Sequence, residues 1–219
     1  MGITARASRS LACRAQRGIL DPVTTQVLEH EPLIRRVLGG NFLQLGLGRL
    51  VIDEQVEGSS VRLTVTENET SIEVEGKGVG LVDALHAALL SRYAREYQSL
   101  TTIQLASFFV DADVETKKGQ AGVDAVGKVK LDVTNSEGRH FTFTDASRSV
   151  TASTARVVIA MVQYFVNAER AFLTLHNARQ DAISRGREDL VSRYTAEMAE
   201  VVESTSYAEV IANIRKQLT

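Results

Sequence analysis

A run of strand, turn, strand, loop and helix occurs twice in this chain, and an internal repeat constrains a fold before any other feature does. In the first copy, VRLTVTEN places Val61, Leu63 and Val65 on one face and Arg62, Thr64 and Thr66 on the other. That period of two marks a half-buried strand. Asn68 and Glu69 supply a turn, and SIEVE returns with Ile72 and Val74. Gly76-Lys77-Gly78-Val79-Gly80 then leads into VDALHAALLSRYAREY, whose Val82, Leu85, Leu89 and Tyr93 fall on a single apolar stripe of a helix. In the second copy, Val129, Leu131 and Val133 follow the first three apolar residues at an offset of 68. Phe141 and Phe143 follow Ile72 and Val74 at an offset of 69, so the second turn holds one extra residue. The helix ARVVIAMVQYFVNAERAF completes it.

Each copy gains a leading strand. Residues 42–56 alternate Leu43, Leu45 and Leu47, with Gly46 and Gly48 marking a bend or bulge. IQLASFFVDADVETKK plays the same part before the second copy. Two repeats are too few for a solenoid. The pattern predicts an α+β fold of two pseudo-symmetric βββα units, 42–97 and 101–172, about an approximate dyad with their helix starts paired. Asp21-Pro22 reads as a cap and first helical residue. The short lead-in over 21–41 is expected to break at Pro32 and end at Gly39-Gly40. Residues 171–183 extend the second helix, which closes a domain over 42–183. Residues 184–219 form a helical extension: Glu188–Glu203 is amphipathic, and Ser206-Tyr207-Ala208-Glu209 is a capping box before a last helix.

Charge and composition exclude several function classes. A net charge of −2 lacks the basic stripe of a nucleic-acid binder. No apolar run approaches the roughly 18 residues of a membrane span. A lone Cys13 excludes internal disulfides and cysteine-based metal sites, which points to a reducing compartment, the cytoplasm. Residues 1–20 carry Arg6, Arg9, Arg14 and Arg17 without an acid, the composition of a disordered basic tail or of an organelle transit peptide.

The glycines of residues 76–80 are not spaced as GxGxxG, and no Walker lysine accompanies them. Two readings remain: a site for a small carboxylate at a helix start, or a plain strand-to-helix connection. In the equivalent loop, residues 145–151, the hydroxyls of Ser147, Ser149 and Thr151 either cap the helix or donate to a ligand. His30, His86, His140 and His176 lie on different elements, so no metal site is expected. Asp111 and Asp113 read as a solvated strand end. Nothing pairs a nucleophile with a base, and no cofactor is implied.

The glycine loop running into Val82-Asp83-Ala84, with the later Gly122-Val123-Asp124-Ala125-Val126-Gly127-Lys128-Val129, resembles the LeuA-type allosteric (dimerisation) domain of 2-isopropylmalate synthase and citramalate synthase. The resemblance spans about residues 42–172. Here Val79-Gly80-Leu81 stands where that family has one proline, Asp145 and Ser147 replace glycines, and Thr151 replaces an aspartate. The resemblance implies a homodimer or higher homo-oligomer that binds leucine or isoleucine near the dimer interface and regulates a catalytic synthase chain. It assigns ligand contacts to Gly78, Gly80, Val82, Asp83, Gly122, Asp124, Ala125 and Gly127, to which the second loop adds Ser147, Ser149 and Thr151. A catalytic (β/α)₈ barrel needs about 250 residues, so a chain of 219 is expected to be the regulatory part alone and not an enzyme. The rival expectation is the same domain acting as an oligomerisation scaffold without a ligand.

Overall fold

The structure, a computed structural model, describes residues 22–112 and 126–203. Helix α1 spans Pro22–Leu38, and strands β1 (Leu45–Gln55), β2 (Gly58–Glu67) and β3 (Thr70–Gly78) precede α2 (Leu81–Tyr93). Strands β4 (Gln104–Ala112), β5 (Gly127–Thr134) and β6 (His140–Ser147) precede α3 (Val150–Ser184) and α4 (Glu188–Glu203). The order is therefore βββα twice, with one helix before and one after. Each trio of strands is its own antiparallel sheet, β1-β2-β3 and β4-β5-β6.

The repeat extends to register. Leu47, Leu50 and Ile52 of β1 face Val65, Leu63 and Val61 of β2. In the same way Leu105, Phe108 and Val110 of β4 face Val133, Leu131 and Val129 of β5. Both leading strands slip by one residue at the same place, between Leu47 and Arg49 and between Leu105 and Ser107. Such a bulge inverts the inside-outside alternation beyond it. Gly48 marks the first bulge; Ala106 marks the second without any sequence signal. The turn between β2 and β3 needs Asn68 in the left-handed region (φ 53°), and its carboxamide also accepts from the Gln44 amide at 3.0 Å.

Helix α3 is the central member. Its 35 residues extend about 52 Å, and Arg156, Glu169, Arg170 and Arg179 interrupt its apolar surface. No helix among the described residues is long and apolar enough to cross a membrane. Phe165 of α3 meets Phe141 edge-on at 5.1 Å, while Val129, Leu131 and Val133 are wholly buried beneath. Edge-to-face aromatic pairs add about 0.5–1.5 kcal/mol to the burial itself.

Two polar side chains of α3 hold the start of unit one. The buried Asn167 carboxamide accepts from the Leu43 amide (2.8 Å) and donates to the Leu43 carbonyl (2.7 Å). Gln163 Oε1 accepts from the Leu45 amide at 2.7 Å. Backbone groups that would otherwise be buried without partners are thereby satisfied.

Helix α2 buries Leu85, Leu89 and Tyr93, as its stripe predicts. The Tyr93 hydroxyl donates to Glu67 at 3.2 Å, and burial beside that carboxylate pushes the phenol well above its ordinary range. Helix α1 does not break at Pro32. It runs unbroken to Leu38, because Leu33, Ile34 and Leu38 are buried in the common core and hold the turn that a proline ring weakens. Asp21 lies outside the described residues. Beyond Ser184, α4 folds back on α3 and α1. Val201 is fully buried there, and Glu197 accepts from Arg36 (3.0 Å) and Arg193 (3.1 Å). The capping box at Ser206 and the last predicted helix fall outside the described residues.

Candidate functional site

The two units solve the strand-to-helix connection differently. In unit one, α2 rests directly on β3. A Cβ at Gly78 would lie 2.5 Å from the Ala84 nitrogen, and one at Gly76 would lie 2.8 Å from the Ala88 Cα. Only glycine permits that approach. Gly76 and Gly78 are thus packing residues that seat a helix on a strand.

In unit two the corresponding positions are Asp145 and Ser147, and polar contacts take the place of close packing. Arg156 donates to Asp145 through Nε (3.0 Å) and Nη2 (2.7 Å). Ser147 and Ser153 share a hydrogen bond of 2.8 Å. Burial pushes the Asp145 carboxyl up, but the hydrogen bonds from Arg156 and Ser153 outweigh it, and the group stays below the usual carboxylate range. Ser149 caps α3, its hydroxyl accepting from the Ala152 amide at 3.2 Å. Ser147 and Ser149 therefore serve the connection itself.

Between the starts of α2 and α3 lies an open cavity of about 350 Å³. Gly80, Leu81, Val82 and Asp83 line it from unit one; Phe108, Val150, Thr151 and Thr154 line it from unit two. Its walls are largely apolar. The two helix starts contribute backbone N–H groups carrying partial positive charge, and the exposed Asp83 contributes a carboxylate. One turn along, His86 is largely buried. Its Nε2 has no hydrogen-bond partner among the described residues, and burial lowers its pKa although Asp83 pulls it upward.

Of the residues singled out from the sequence, Gly80, Val82, Asp83 and Thr151 meet at this cavity. Gly78 lies behind it under Ala84. Gly127 lies under Val150, whose Cγ2 would be 2.6 Å from an added Cβ. Gly122, Asp124, Ala125 and Asp113 fall outside the described residues. Leu81, Phe108, Val150 and Thr154 were missed. Val150 and Thr154 sit one turn apart around Thr151 and were within reach of a helical-wheel argument. Phe108 needs the bulge at Ala106 to face inward.

A larger hollow of about 500 Å³ lies on the outer face of the first sheet, near Val51, Asp53 and Lys77. Its Arg62 is already paired with Glu73 (3.0 Å) and Glu75 (2.6 Å), so it presents no free charge at that position. No group of three or more metal-ligating side chains comes together among the described residues.

No known family model matches this chain, and no curated protein is significantly similar to it.

Proposed function

We propose that this chain holds a regulatory and dimerisation module of the 2-isopropylmalate synthase type, binding a branched-chain amino acid between its two helix starts. The supporting observation is the cavity itself. Residues from both units converge there on one space, within the roughly 300–1,000 Å³ range of small-molecule sites. Its chemistry suits a small apolar zwitterion. The α-carboxylate would meet the helix-start N–H groups, the ammonium would meet Asp83, and an aliphatic side chain would lie against Leu81, Val82, Phe108 and Val150. In this reading the effector signal passes to a catalytic synthase.

Isothermal titration with leucine, isoleucine and valine tests it. The expected result is binding of at least one, weakened roughly 10–100-fold in Asp83→Asn, as loss of a charge-assisted hydrogen bond predicts. No heat and no thermal shift with any of the three would remove the sensing half. A second reading, a scaffold without a ligand, draws support from Ser147 and Ser149, whose hydroxyls are engaged in the connection rather than turned to a ligand.

A further inference from the structure

The two leading strands are equivalent in register and both are edge strands, but they differ at their starts and in the residues their edges carry. The N-terminal end of β1 is closed by α3, whose Gln163 and Asn167 occupy backbone groups of Leu45 and Leu43. Strand β4 is hydrogen-bonded only to β5, and no described residue pairs with its other side. That edge carries three consecutive exposed apolar residues: Phe108 is 38% exposed, Phe109 57% and Val110 47%. Edge strands of monomeric proteins are ordinarily blunted by lysine, proline or shortness. The bulge at Ala106 and the charge of Asp111 flank the run, but Phe108–Val110 between them carries no lysine, proline or charge and has no strand partner on its outer side among the described residues.

We infer that β4 pairs antiparallel with β4 of a second copy, about a two-fold axis through Phe109, joining two three-stranded sheets into one of six. This deepens the dimer half of the reading above. The occupant follows from self-complementarity. With Phe109 on the axis it faces itself on the outer surface, Phe108 faces the partner's Val110 on the helix-bearing surface, and Ser107 faces the partner's Asp111. Every apolar residue of the segment then meets an apolar residue, and its one charge, Asp111, lies at the end of the pairing opposite Ser107, whose hydroxyl donates to Asp132 at 2.7 Å. Centring on Phe108 instead sets Asp111 against the partner's Leu105 and Phe109 against the partner's Ser107. Centring on Val110 sets Asp111 against the partner's Phe109. Both strand an apolar group or a carboxylate. An axis perpendicular to the sheet also keeps both helix layers on one side, so the partner's Val110 extends the cavity wall that Phe108 begins.

The test is sedimentation velocity on the full chain across a wide concentration series, with Phe109→Lys, Phe109→Glu and an equimolar mixture of the two. Phe109 faces outward, so either charge is compatible with folding, and circular dichroism verifies it. The expected result is a wild-type dimer, a loss of affinity of roughly a hundredfold in each variant from like charges placed face to face, and recovery of dimer in the mixture. A wild-type monomer at every concentration overturns the inference. So does a dimer that either variant leaves intact, or two monomeric variants whose mixture stays monomeric. No amino acid is present in this assay, so its failure leaves the ligand reading standing. A silent titration would equally leave the dimer standing.

Discussion

Replacing Gly76 by alanine tests whether α2 is seated as tightly on β3 as the geometry requires. The new methyl would stand 2.8 Å from the Ala88 Cα and closer still to the Ala84 carbonyl and the Ala88 amide. Carbon atoms in contact prefer about 3.5–4.0 Å, so the helix must retreat by about 1 Å. It has nowhere to go, because Leu85 and Leu89 are wholly buried on its far side and Tyr93 nearly so. Overpacking of this kind costs about 1–3 kcal/mol, and backbone obstacles favour the upper end. Removing a glycine returns about 0.4–1 kcal/mol by restricting the unfolded chain, which leaves a net loss of about 2 kcal/mol. Urea denaturation followed by circular dichroism reads it as a lower midpoint at unchanged slope. Gly40→Ala is the control, since nothing lies within 4 Å of its added Cβ and its backbone lies outside the left-handed region. It should be neutral or slightly stabilising. A Gly76→Ala midpoint equal to or above wild type would refute the close seating of α2.

Asn167→Ala removes three hydrogen bonds of a buried carboxamide, two of them to Leu43. The two stranded backbone groups should cost about 2–4 kcal/mol in the same denaturation assay, and the Leu43 amide should lose hydrogen-exchange protection. Asp145 and Asp132 both titrate below the ordinary carboxylate value. Burial raises each, but hydrogen bonds outweigh it, from Arg156 and Ser153 at Asp145 and from Thr142 and Ser107 at Asp132. Folded pKa values depressed in this way give stability that is complete above about pH 4 and is lost as pH falls through the folded values. Urea midpoints measured from pH 5 downward should fall, and Asp145→Asn should show a shallower fall from a lower starting midpoint. An unchanged slope would mean that the Arg156 pair does not form in solution.

The alternation at Val61–Val65 and Val129–Val133, the offsets of 68 and 69, and the apolar stripe of α2 are local periodicities, and they were sufficient for two βββα units. The two strand-to-helix loops pointed to Gly80 and Thr151, because residues at such a junction are adjacent in the chain, whereas Asp83 came from the resemblance to the LeuA-type domain. Pro32 shows the limit of local rules: it weakens one turn, but three buried side chains around it outweigh that loss. Gly76 and Gly78 show the same limit differently. Their pattern resembled a ligand loop, and only the position of Ala84 and Ala88 revealed that the absent side chains make room for a helix.

Phe108 marks the boundary most clearly. Simple alternation from Leu105 turns it outward, while the bulge at Ala106 turns it inward, and alanine carries no signal of a bulge. Whether a strand slips by one residue is decided by pairing with its neighbour, a contact between residues far apart in sequence. The chain alone therefore determined which segments repeat and which become strands or helices. The joining of α2 and α3 at one cavity, and the closing of the start of β1 by Gln163 and Asn167, came from packing. Both depend on α3 lying against unit one, and no period in the sequence encodes that.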